Sequence, residues 1–171
     1  MQLSRQIGLI GLGAVLALVQ VPASSLAQSF PQAVRLQTTF TGSNKCLDIV
    51  NDGSNNQPIM NNCGNYSGQI WSIKPTKTSG VYRLQNQFSG NDKCLDIVND
   101  GSNNQPIMSK CGNYSGQLWR IQPSAREGFY RLQNQFSGSD KCLDIVNDGN
   151  NNQLIMGNCG NYSGQAWKID E

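Results

Sequence analysis

The sequence contains no histidine. That removes the usual general base near neutral pH and the commonest metal ligand. Glutamate occurs only at Glu127 and Glu171, so a catalytic pair built on glutamate has almost no material. Charged residues make up 14% of the 171 positions, against roughly 25% in ordinary globular proteins. The formal net charge is +2, which excludes attraction to nucleic acid or an anionic membrane through bulk electrostatics. No segment sustains a 3.6-residue apolar period, so helices are not expected. The polar bulk is instead asparagine, glutamine, serine and glycine, with 18 glycines, and there are six cysteines.

The first 27 residues set the compartment. Met1 to Gln6 carries one positive charge, Arg5, and Ile7 to Val21 is an apolar run. Ser25-Leu26-Ala27 places small residues where a signal peptidase cuts. Residues 1–27 therefore read as a secretory signal peptide removed before Gln28. The apolar run is short for a membrane span, which needs about 20 residues. The mature chain, residues 28–171, is expected to be secreted, extracellular or periplasmic in a Gram-negative host, with no membrane insertion after cleavage. Export makes disulfides the natural state of the cysteines.

The mature chain is a repeat. Cys46, Cys94 and Cys142 are 48 residues apart, as are Cys63, Cys111 and Cys159, and Trp71, Trp119 and Trp167. Residues 83–123 and 131–171 agree at 32 of 41 positions, and 35–75 and 83–123 at 31. The copies run over about 35–82, 83–130 and 131–171. Within the second copy four short runs stand out: 81–88, 93–98, 106–108 and 117–121. The first and last alternate apolar and polar residues, and Asn99-Asp100-Gly101 is a hairpin signal. Four runs in three copies predict twelve strands. One copy has too little apolar surface to fold alone, so the three are expected to share one core.

Cys-Leu-Asp at 46–48, 94–96 and 142–144, each followed by Gln-x-Trp at 69–71, 117–119 and 165–167, resembles the ricin B-type lectins. The resemblance covers the whole mature chain. It implies an all-β fold, the β-trefoil, with twelve short strands in three pseudo-threefold repeats and one possible sugar pocket per lobe. It also supports the economical pairing Cys46–Cys63, Cys94–Cys111 and Cys142–Cys159, one bridge per copy. Six cysteines alone allow 15 pairings. A zinc site is not expected, since histidine and any Cys-x-x-Cys are absent.

Asp48, Asp96 and Asp144 are the leading site candidates. A carboxylate accepts hydrogen bonds from two neighbouring sugar hydroxyls, which is charge-assisted and geometrically selective. The resemblance gives the aspartate of this motif that role. The alternative is a carboxylate that ties a turn to backbone N–H groups. Gln69, Gln117 and Gln165 read either as contacts to the sugar or as braces that orient the aspartates. The three tryptophans read as core, as do Leu36, Phe40, Leu47, Ile49, Ile59 and Ile73 with their counterparts.

A sugar pocket also needs an aromatic face. The family often carries it two residues before the second cysteine of each lobe, where this chain has Asn61, Ser109 and Gly157. Ile59, Ile107 and Ile155 replace a frequent glutamine, and Gly68, Gly116 and Gly164 replace an asparagine. The copies instead share Cys-Gly-Asn-Tyr-Ser-Gly-Gln. Tyr66, Tyr114 and Tyr162 are the candidate platforms, with Asn65, Asn113 and Asn161 as amide partners. The same Asn-Tyr-Ser triplets fit the N-glycosylation pattern. Asp48-x-x-x-Asp52-Gly53 is not a calcium loop, because Val50 stands where an oxygen ligand is needed and Ile59 where the bidentate glutamate should be.

These features predict a secreted lectin with up to three equivalent sites for glycans or glycoconjugates. No cofactor, metal or nucleic acid is expected. Three like sites do not make one asymmetric catalytic centre, so an enzyme is not expected either. The alternatives are a trefoil that inhibits a protease through a surface loop and a non-catalytic structural trefoil. The first depends on one distinctive loop, and the longest departure between the copies is 74–80 against 122–128.

Overall fold

The computed structural model describes residues 28–171; the expected signal peptide lies outside the described residues. The first copy forms β1 (Arg35–Thr38), β2 (Lys45–Ile49), β3 (Pro58–Asn62) and β4 (Trp71–Pro75). The second forms β5 (Val81–Asn86), β6 (Lys93–Ile97), β7 (Pro106–Lys110) and β8 (Trp119–Pro123). The third forms β9 (Tyr130–Asn134), β10 (Lys141–Ile145), β11 (Leu154–Asn158) and β12 (Trp167–Asp170). Among the described residues the only helices are 3-10 turns at Ser67–Gln69, Ser115–Gln117 and Ser163–Gln165. The glutamine of each Gln-x-Trp thus belongs to a tight turn rather than to the strand expected for it, and the strand starts at the tryptophan.

Six strands close on themselves. β1 pairs with β12, β12 with β9, β9 with β8, β8 with β5 and β5 with β4. A bridge between Val34 and Trp71 joins β4 back to the start of β1. Closure removes the free edges that an open sheet would expose. The other six strands form three hairpins, β2–β3, β6–β7 and β10–β11. This is a β-trefoil, one barrel pair and one hairpin per lobe.

Each hairpin loop is fixed by its own residues. Asp52 Oδ1 accepts from the N–H of Ser54 at 3.0 Å and of Asn55 at 2.9 Å. Asp100 and Asp148 repeat that turn. Asn55, Asn103 and Asn151 then sit at φ +52°, a left-handed conformation that asparagine tolerates better than most side chains. The loops reach the neighbouring lobes. Met60 N–H donates to Asn152 O at 2.8 Å, Met108 to Asn56 and Met156 to Asn104, both at 2.7 Å. These three bonds form a closed ring, so each lobe is tied to the other two.

Leu36, Leu47, Met60 and Trp71, with their counterparts, are buried in one shared core. Trp71, Trp119 and Trp167 are fully enclosed, and each indole N–H donates to a leucine carbonyl: Leu47, Leu95 and Leu143. Ile59, Ile107 and Ile155, read from sequence as core, are only partly buried. On a strand alternate residues face opposite ways, and here the following methionine faces in. Cys46–Cys63, Cys94–Cys111 and Cys142–Cys159 are bridged. Each closes a 17-residue separation, a constraint of about 3 kcal/mol in the chain-entropy account.

The first described residues also dock. Phe30 packs edge-on against Tyr82 and Tyr130, with ring centres 5.2 and 5.7 Å away. The Tyr82 hydroxyl donates to Gln28 O at 2.7 Å, and Gln28 Nε2 donates to the Tyr130 hydroxyl at 2.6 Å. Burial pushes the Tyr82 phenol above its ordinary pKa.

Candidate functional site

Each aspartate follows a buried Cys-Leu pair on the first strand of a hairpin. Asp48 Oδ1 accepts from the N–H of Ile49 at 2.8 Å, and Oδ2 from Gln69 Nε2 at 2.9 Å. Asp96 has Ile97 N–H and Gln117, and Asp144 has Ile145 N–H and Gln165, all at 2.8 Å. A carboxylate offers about four lone-pair positions. For Asp96 and Asp144 each oxygen carries one protein donor, which leaves a lone pair on each for a ligand. Their side chains are half-buried, whereas Asp48 is buried.

The glutamines are fully engaged. Gln69 Nε2 donates to Asp48 and to Asn62 O, and Oε1 accepts from Gly64 N–H. Gln117 and Gln165 repeat all three bonds. Both amide hydrogens are spent inside the protein, so these residues position the carboxylates. Gly68, Gly116 and Gly164 are buried against the same aspartates. A Cβ at any of them would overlap the aspartate Oδ1. With the carboxylates placed as they are, an asparagine at these positions does not fit.

The tyrosines are the exposed large apolar side chains of the described residues, at 60%, 62% and 61%. Each ring lies over the glycine two residues before it: Gly64, Gly112 and Gly160 leave no room for a Cβ beneath it. Each ring therefore rests on backbone and stays mostly exposed to solvent. Asn65, Asn113 and Asn161 are exposed beside them.

In the first lobe these groups meet. A groove of about 660 Å³ is lined by Asp48, Asn65, Tyr66, Asn61, Phe88 and Asn152, among others. In the second, two depressions of about 380 and 570 Å³ share Asp96, Ile97, Asn99 and Tyr114; the smaller adds Asn113 and Phe136. In the third lobe a cavity of about 380 Å³ is lined by Asn161, Tyr162 and Gln165 together with Thr39, Arg126, Arg131 and Ala166, and not by Asp144.

From sequence, Phe88 and Phe136 read only as core. Both pack on the core and are partly buried, yet each also lines the groove of the preceding lobe. Their threefold recurrence was the available signal, but it does not distinguish core from groove wall. Among the described residues no group of three histidine, cysteine, aspartate or glutamate side chains is placed to hold a metal. No helix there is long and apolar enough to cross a membrane.

Residues 32–167 match the family model of the ricin-type β-trefoil lectin domain. Solved structures share the fold. The designed threefold-symmetric protein ThreeFoil is 23% identical, with TM-score 0.70, over 82% of this chain and 99% of its own. SeviL bound to asialo-GM1 saccharide is 22% identical, with TM-score 0.61, over 82% of this chain and 97% of its own. A mosquitocidal holotoxin is 22% identical, with TM-score 0.72, over 86% of this chain; this chain spans 18% of the toxin. No curated protein matched the chain.

Proposed function

The chain belongs to the ricin-type β-trefoil lectin family, and from that premise we propose that it is a secreted, non-enzymatic lectin. Its grooves hold sugar hydroxyls on Asp48, Asp96 and Asp144 and stack the sugar ring on Tyr66, Tyr114 and Tyr162. Asn65, Asn113 and Asn161 supply amide contacts at the rim. Gln69, Gln117 and Gln165 hold the carboxylates in place.

The observation that carries this reading is the carboxylate geometry. Asp96, braced with one lone pair free on each oxygen, accepts from two adjacent hydroxyls. It lines a groove with the exposed Tyr114 ring, which suits the apolar C–H face of a pyranose. The structural alternative for the aspartates accounts for the bond to the next N–H, but not for the groove and the platform beside it. Single shallow sites are weak. Several sites on one rigid body gain avidity of about 10²–10⁴ against clustered glycans when the spacing fits.

The test is a glycan array with mature protein and its variants. Asp96→Ala alone is expected to reduce avidity and leave some binding. Replacing Asp48, Asp96 and Asp144 together by alanine is expected to abolish neutral-glycan binding per folded molecule, with circular dichroism confirming the fold. A folded triple variant that binds at full strength would reduce the aspartates to structural residues.

A further inference from the structure

We propose that the third-lobe cavity between Arg126 and Arg131 binds an acidic sugar, a pyranose carrying a carboxylate or a sulfate. That the ligand is a sugar rests on the carbohydrate-binding reading; that it is anionic rests on the cavity itself. Two arginines are among its lining residues and no aspartate or glutamate is. The one ion pair among the described residues is Lys168–Asp170, so neither arginine has an acidic partner there. Glu127 is exposed in the same loop but does not line the cavity. The grooves of the other two lobes contain Asp48 and Asp96, which repel an anion.

The arginines are held rather than free. Arg131 Nη2 donates to Gly160 O at 3.0 Å and to Asn161 Oδ1 at 3.3 Å. The Arg126 guanidinium lies 5.6 Å from the Phe129 ring centre. Its backbone is clasped by Ser124, whose hydroxyl accepts from Arg126 N–H at 3.1 Å and donates to Arg126 O at 3.0 Å. Charged donors on a fixed frame suit oxyanion recognition. Tyr162 borders the same cavity and offers the ring face.

Departures from the repeat make this cavity particular to the third lobe. Thr39 and Ala166 line it where the other copies have Gln87 and Gln135, and Ile70 and Leu118. The smaller side chains leave space. Arg126 stands where the preceding copy has Thr78, and Ala125 where it has Lys77, so the cation of this loop is shifted by one residue and becomes a guanidinium.

The experiment titrates mature protein by NMR with methyl glucuronide, glucose 6-sulfate, methyl glucoside and inorganic sulfate. Both acidic sugars are expected to bind more tightly than the neutral one at the third lobe, and less tightly as salt rises. The better of the two identifies the acid group. Arg126→Thr, which restores the residue of the preceding copy, should weaken acidic-sugar binding by about tenfold and leave the neutral sugar unaffected. Ala166→Leu should do the same with the charge intact, because it fills the space. No preference for acidic sugars, or indifference to both substitutions, overturns the site. Sulfate binding as tightly as glucose 6-sulfate overturns the sugar assignment. Neutral-sugar binding that survives loss of all three aspartates overturns the aspartate grooves, and leaves the Arg126 result standing.

Discussion

Asn61 donates through Nδ2 to Asp48 Oδ2 at 3.4 Å, beside the Gln69 amide, and Asp96 and Asp144 have only the glutamine as a side-chain donor. Ser109 and Gly157 occupy the matching places. The Asn61 amide is itself fixed, because its Oδ1 accepts from Asn62 N–H at 2.9 Å. Asp48 therefore has an extra donor on Oδ2 and is only 5% exposed. The three sites share a motif but not an accessibility.

That asymmetry gives the first prediction. Asn61→Gly, which reproduces the third copy, should uncover Asp48. Binding of a neutral glycan at the first groove should tighten by about three- to tenfold, about 0.7–1.4 kcal/mol. The Ile49 amide resonance reports that groove during an NMR titration. Weaker binding in the variant would make Asn61 a ligand contact instead of a cover.

The second prediction separates the two sets of rings. Changing Tyr66, Tyr114 and Tyr162 together to alanine should lower glycan affinity by at least tenfold, about 1.4 kcal/mol, with little change in melting temperature. Their rings are mostly solvent-exposed. Trp119→Ala should do the reverse. It removes a fully buried ring and the bond to Leu95 O, costing about 3–5 kcal/mol of stability. Early melting of the tyrosine variant with unchanged affinity per folded molecule would assign those rings to packing.

The third concerns alkaline pH. Burial raises the Tyr82 phenol, so the folded state favours its neutral form. That stabilisation is fully present below the unfolded phenol's pKa of about 10, and is lost as pH rises through the higher folded value. Urea midpoints should therefore fall above about pH 10. Tyr82→Phe should flatten that decline, and lower stability at neutral pH by about 1 kcal/mol through loss of the bond to Gln28 O. An unchanged alkaline slope in the variant would place its origin elsewhere.

The periodic features of this chain were legible as sequence because their physics is local. Alternation within short runs marks strands, and a 48-residue return of cysteine, aspartate and tryptophan marks three equivalent lobes. Asp48, Asp96 and Asp144 stood out for the same reason: type and spacing carry their chemistry. What lies between lobes was not legible. Phe88 completes a groove that belongs to the copy before it, and Asn152 reaches the first lobe from the third. Such contacts depend on how closure brings distant strands together, and spacing along the chain does not encode that. The role of the glutamines was likewise open until the turn at Ser67–Gln69 showed both hydrogens of the Gln69 amide already bonded. Identity of residues also could not rank the sites. Asn61 beside Asp48, and Thr39, Arg126 and Ala166 around one cavity, are small departures in sequence. Tertiary packing gathers them from separate segments and turns them into differences in access and charge.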